Sequence, residues 1–164
     1  MDAINYTPIG VIRTPHTAIA GMPVQNVGAE QIQGTIELGP EYAAGLRDLE
    51  GFSHLILVFH MHQMQGFSPL VRSFIEGPDG PERGIFATRS PRRPNPIGLT
   101  VVRLLAVDGA TLTVSGVDIL DGTPLLDIKP YVPAFDARDG ERTGWYANVV
   151  DGAANIRADD RFSR

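Results

Sequence analysis

Three short segments combine residue types that do chemistry with spacings that fix how they are presented. The first is Ala87–Leu99, reading ATRSPRRPNPIGL. Its three prolines fix φ and remove backbone donors, so this stretch cannot lie inside a sheet. It reads as a stiffened loop ending at Ile97–Gly98, where glycine permits a close backbone approach. Arg89, Arg92 and Arg93 project from it, each a planar fork suited to a carboxylate or a phosphate. A preorganised anion-binding loop for a cofactor or an RNA backbone is one reading. A rigid surface turn whose arginines pair with acidic clusters elsewhere is the other. Stiffness and charge coincide in one loop, which favours the first.

The second segment is Asp121–Tyr131, DGTPLLDIKPY. Asp121, Gly122, Thr123 and Pro124 form a turn signal, and Asp127, Lys129 and Tyr131 follow at period two, on one face of a strand. An acid, an amine and a phenol so aligned could position a substrate or move a proton. An ordinary surface pair between Asp127 and Lys129 explains the same residues. The third segment is His60-Met61-His62-Gln63. Two histidines at i, i+2 share a face, but no cysteine or nearby carboxylate completes a metal shell, and the next acid is Glu76. The expectation is therefore hydrogen bonding to a ligand and no metal.

The elements that must carry these segments are short. Apolar runs at Ile9–Arg13, Gln33–Leu38, Leu55–His62, Gly84–Thr88, Leu99–Val107, Leu112–Asp118 and Leu125–Ile128 are separated by Gly, Pro, Asn or Asp. Asp108-Gly109 is a hairpin signal. Only Glu41–Leu49 reads as a helix. With eighteen glycines, thirteen prolines and one helix, a parallel sheet lacks its crossovers. The pattern predicts an all-β protein, a small closed or nearly closed antiparallel β-barrel with one short helix and an irregular C-terminal tail. The barrel domain is placed at 1–135. Residues 136–164 form an extension packing on the barrel or a partner subunit, pinned by Trp145, with its last few residues mobile.

Composition narrows the classes. A chain of 164 residues fits one core, and the absence of cysteine removes disulfides, thiolate metal sites and a cysteine nucleophile together. No run approaches the ~18 apolar residues of a membrane span, and the N-terminus carries no secretory pattern. A soluble cytoplasmic protein without membrane partners is expected. Net charge is −5, yet Arg83–Val107 holds five arginines and no carboxylate. Lys129 is the sole lysine. Neither a Gly-x-Gly-x-x-Gly nor a Walker loop is present, so a nucleotide-like cofactor would be held outside those solutions.

In this order, PIGVIRTP, GFSHLILVFHMHQ, GIFATRSPRRPNPIGLT and DGTPLLDIKPYVP resemble the TrmO (YaeB/TsaA-like) family of tRNA N6-threonylcarbamoyladenosine methyltransferases, from Tyr6 to Pro133. The resemblance implies a β-barrel that binds S-adenosyl-L-methionine near a homodimer interface, with tRNA as substrate and no DNA. Carried over position by position, the cofactor meets Pro23, Val24 and Gln25, then His62 and Gln63, then Arg89 and Leu99, then Asp121, Gly122, Thr123 and Pro124. Arg89 suits its carboxylate, Asp121 its ribose hydroxyls or amine, and the Leu99 backbone its adenine edge. The acceptor N6 is a poor nucleophile, which gives Asp127, Lys129 and Tyr131 an orienting or basic role. Arg92 and Arg93 would meet tRNA phosphates. Three departures bear on the acceptor: Val24 stands where many bacterial members carry arginine, their further C-terminal domain has no counterpart here, and the chain is acidic. A small-molecule methyltransferase and a non-catalytic S-adenosylmethionine-binding module on the same barrel are the alternatives.

Overall fold

A computed structural model describes residues 2–159, so the expectation of a mobile C-terminal end falls outside the described residues. Six strands close into an antiparallel barrel: β1 (Gly10–Arg13), β2 (Gln33–Leu38), β3 (His54–His60), β6 (Ile97–Asp108), β7 (Thr111–Ser115) and β8 (Thr123–Pro130). Their order round the ring is β1-β2-β7-β6-β3-β8. Two further strands, β4 (Leu70–Arg72) and β5 (Glu82–Gly84), form a separate ribbon in the long β3–β6 connection. Alternation places the side chains. Leu55, Leu57 and Phe59 of β3 point inward while His54, Ile56 and Val58 point outward, and the interior fills with Ile12, Ile36, Val102, Leu112, Val114 and Leu125. A bulge at Val58/Phe59 sets Leu125 opposite Phe59 and Asp127 opposite Val58. It bends β8 where the barrel turns.

Antiparallel pairing all round makes β1, β3 and β7 end at the same rim. Residues 14–32, 61–96 and 116–122 therefore gather at one mouth. Gly116 (φ 88) turns the chain off β7 and sends Val117 and Ile119 back into the core as a floor beneath that mouth. The strand expected at Leu112–Asp118 ends at Ser115 for this reason.

Two other expectations are corrected. Gly84–Thr88 is not a strand: β5 ends at Gly84 and Ile85–Ala87 forms a 3-10 turn. Thr88 closes it, its amide and hydroxyl both donating to the Ile85 carbonyl, and Ile85 is buried beneath. The short helix expected at Glu41–Leu49 is present as the seven-residue 3-10 helix Pro40–Leu46, not as an α-helix running to Leu49: Asp48 adopts a left-handed conformation (φ 67), and Leu49–Gly51 makes a separate 3-10 turn. A segment this short, with Gly45 inside it, cannot sustain α-helix nucleation. After β8 the chain makes a single helical turn, α1 (Pro133–Asp136), and then 3-10 turns at Gly144–Asn148 and Val150–Asn155.

At the mouth, Gly98 faces the Phe59 ring so closely that a Cβ there would overlap it. Gly98→Ala should lower the unfolding free energy by about 1–3 kcal/mol through forced repacking, read from urea denaturation. Gly45→Ala, in open space, should stay within about 0.5 kcal/mol of the parent. Equal midpoints for all three proteins would contradict this packing.

Candidate functional site

The mouth joins segments that are far apart in sequence. Arg89 Nη1 donates to Gln25 Oε1 at 3.1 Å, linking the loop after β1 to the loop before β6. Pro23 and Val24 form the inner part of the first loop, Pro23 buried and Val24 half-buried. On the far side Asp121 Oδ1 accepts the Thr14 amide at 3.0 Å, and Asp121 Oδ2 lies 4.0 Å from Arg13. Gly122 (φ 75) allows the sharp entry into β8. Thr123, buried, gives its hydroxyl proton to the Leu120 carbonyl at 2.7 Å. Its oxygen is also 3.3 Å from His62 Nδ1. A hydroxyl has one proton, so here the imidazole is the donor, which assigns the Nδ1–H tautomer and leaves Nε2 an acceptor.

Burial is the main cause that lowers the His62 pKa, and neighbouring His60 lowers it further, while the Asp121 carboxylate opposes them. The ring is neutral at pH 7. Gln63 follows at the exposed end of the same turn. Asp118 was not anticipated from sequence. It lies between the core residues Val117 and Ile119, bonds Thr100, and keeps Oδ1 buried with no hydrogen-bond partner among the described residues. Burial pushes its carboxyl pKa up, against hydrogen bonds from Thr100 and its own backbone and the charges of Arg89 and His16. An acid set inside the apolar run Val114–Leu120 was the available signal.

Other expected residues take no part in these contacts. Leu99 faces the outer wall and is 62% exposed. Its strand pairs with β3 over Ile97–Arg103 but with β7 only from Arg103 onward, so the β7-side backbone edge around Leu99 has no strand partner among the described residues. Arg93 turns onto its own loop, Nη1 donating to the Ile85 and Thr88 carbonyls at 3.2 and 2.9 Å, with the guanidinium 5.6 Å above Phe86. Arg92 is half-buried.

Asp127 and Lys129 project from the outer wall and pair with each other at 2.7 Å. Both are largely exposed, so the pair is worth at most about 1 kcal/mol. Tyr131 lies past the opposite rim, its amide donating to the His54 carbonyl and its ring edge-on to His54 at 6.4 Å. Eight residues of extended chain, roughly 26 Å at 3.3 Å each, separate it from Thr123. Within one subunit these three side chains are not brought to the mouth. Among the described residues no group of three or more His, Asp or Glu is gathered as a metal shell.

Residues 11–137 match the family model described as the tRNA-methyltransferase O N-terminal domain. A Pyrococcus abyssi protein, described as a probable S-adenosyl-L-methionine-binding protein, is 47% identical over 159 residues, covering 97% of this chain and 85% of its own. A tRNA (adenine(37)-N6)-methyltransferase of Escherichia coli is 40% identical over 141 residues, 81% of this chain and 60% of the relative. The crystal structure of TrmO from Pseudomonas aeruginosa superposes with a TM-score of 0.73 at 39% identity, over 88% of this chain and 63% of that one. The chain thus spans less than two thirds of the relatives named for methyl transfer to tRNA or as TrmO.

The His62 environment gives a direct measurement. Its imidazole should titrate by NMR with a midpoint below 6.5, and Asp121→Asn should move that midpoint further down because the carboxylate favours the charged ring. An upward movement in the variant would contradict the arrangement.

Proposed function

The chain belongs to the tRNA-methyltransferase O N-terminal domain family, and from that premise we propose that it binds S-adenosyl-L-methionine at the barrel mouth. The methyl group goes to N6 of threonylcarbamoyladenosine at tRNA position 37, beside the anticodon. The observation that carries this reading is the convergence of Gln25 with Arg89, and of His62 with Thr123 and Asp121, on one rim. Those residues come from four separate segments.

The donor set fits such a ligand. A sulfonium and an ammonium call for carboxylates, and the mouth holds Asp121 and the half-buried Asp118, whose buried Oδ1 has no hydrogen-bond partner among the described residues. A carboxylate calls for a guanidinium, and Arg89 supplies one. When bound, S-adenosylmethionine supplies a methyl group already activated by positive sulfur. Neutral His62 adds no competing positive charge beside it. The Leu99 backbone edge suits a planar base, and Pro23, Val24 and Pro124 give apolar walls that exclude water. Catalysis here is mainly alignment and desolvation.

The protein acts as a homodimer in the cytoplasm, where its tRNA is found. Support for the dimer comes from Ile97, Leu99 and Leu105, large apolar residues exposed along the outer wall of β6. Asp127 and Lys129 lie on the outer wall and Tyr131 past the opposite rim, so they can serve the acceptor only where a second copy brings its mouth to them. Arg92 and Arg93 border the mouth within a stretch free of acids and favour an RNA backbone. The net charge of −5 favours the second reading, a small-molecule methyltransferase or an S-adenosylmethionine-binding module on the same barrel.

Incubation with isotopically labelled S-adenosylmethionine and tRNA bearing threonylcarbamoyladenosine separates these. The expected result is label in that nucleoside, lost on unmodified tRNA and reduced about tenfold or more by Arg89→Ala at limiting cofactor. Cofactor binding with no label in tRNA would reject the tRNA reading. Label appearing in metabolites would establish the small-molecule one.

A further inference from the structure

Residues after 137 lie beyond the span matched by the family model, yet they touch both loops that meet at Arg89 and Gln25. At one end Trp145 Nε1 donates to the Ala87 carbonyl at 2.8 Å, two residues before Arg89. Two further groups hold the indole: Arg83 sits 4.9 Å over it and the Tyr146 ring stacks on it at 3.9 Å. Arg83 is itself fixed by two hydrogen bonds to Glu76, at 3.1 and 2.7 Å. At the other end Arg157 forms a β-bridge with Pro23. Gly21 donates to the Ala158 carbonyl and Ala158 to the Met22 carbonyl, each at 2.8 Å. Between these ends the Val150–Asn155 turn packs so closely on Gly28 that a Cβ there would lie 2.6 Å from the Ala154 carbonyl oxygen.

We propose that Trp145–Ala158 is a strap that holds the Pro23–Gln25 and Ala87–Arg89 segments at the spacing their mutual contact requires, with Trp145 as a positioning residue for Arg89. The inference rests on the proposed cofactor site. A contact of 3.1 Å between two irregular loops needs both backbones held in place, and neither loop pairs into the barrel sheet at that point. The strap supplies main-chain hydrogen bonds to one loop and an indole hydrogen bond to the other. Ordering the loops before binding lowers the cost of ligand association. Loss of the Trp145 anchor therefore weakens cofactor affinity without touching the reacting atoms.

Titration calorimetry with S-adenosylmethionine, together with steady-state methyl transfer, tests this on the full chain. Trp145→Ala should raise Kd and the cofactor KM about tenfold, with kcat at saturating cofactor within about twofold of the parent. Trp145→Phe keeps a ring beneath Arg83 but loses the Ala87 bond, and should fall between the two. In an Arg89→Ala background, Trp145→Ala should add nothing further, because it acts through that residue. Wild-type affinity in both Trp145 variants, or independent multiplication with Arg89→Ala, would overturn the inference alone. If Trp145→Ala does not fold, Trp145→Phe and its pairing with Arg89→Ala decide. A wild type with no affinity for S-adenosylmethionine would overturn the proposed site and the strap's role together.

Discussion

The arrangement of the candidate site depends on closure of the ring between β1 and β8. That seam is short, running from Gly10 opposite Leu125 to Ile12 opposite Thr123. Without it both strands would expose unpaired backbone edges, and residues 121–124 would be free of the opposite wall. With it, the turn before β8 is tied to the end of β1: Gly122 donates to the Ile12 carbonyl, and Asp121 accepts from Thr14. Closure also decides which loops meet, because an even ring of antiparallel strands sends alternate connections to one rim. The opposite rim receives the segment leading into β1, residues 39–53, the tight turn after Asp108 and the exit from β8.

The mouth is electrostatically asymmetric. On one side a guanidinium is held by a neutral amide, Arg89 to Gln25, and keeps its charge for a ligand. On the other, the Asp121 carboxylate stands near His62, whose neutral form burial favours. Asp118 lies within electrostatic reach of Arg89, and its raised pKa marks the cost of desolvating it. The surface ion pairs, Arg13–Glu37, Arg72–Glu82 and Asp127–Lys129, are exposed and contribute little by comparison. Asp118, Thr123 and His62 gather their buried and half-buried polar atoms at the mouth, where the proposed cofactor would need them.

The barrel was legible in the sequence because Leu55–Phe59 and Thr111–Val114 alternate or cluster as strands, and Asp108-Gly109 marks the turn between β6 and β7. Family motifs added the mouth segments. What stayed hidden is non-local. The apolar triplet Ile85-Phe86-Ala87 fits a strand or a tight turn equally well, and the contacts made by Thr88 and Arg93 decide it. Asp127 and Lys129 do share a face, but periodicity cannot say that the face is the outer wall, nor that β8 ends before Tyr131. Asp118 could be noticed as an acid among apolar residues, but its partners Thr100 and Arg89 are brought beside it only by the fold. Trp145 stood out as an anchor, but its target at Ala87 is 58 residues away.

A crystal structure of the protein grown with S-adenosylhomocysteine, the product left after methyl transfer, tests the central claim most directly. The account predicts electron density for the ligand at the mouth, its carboxylate on Arg89 and its remaining polar groups within reach of Asp121, His62 and the Leu99 backbone. Density at another surface, or an empty mouth at saturating ligand, would contradict it.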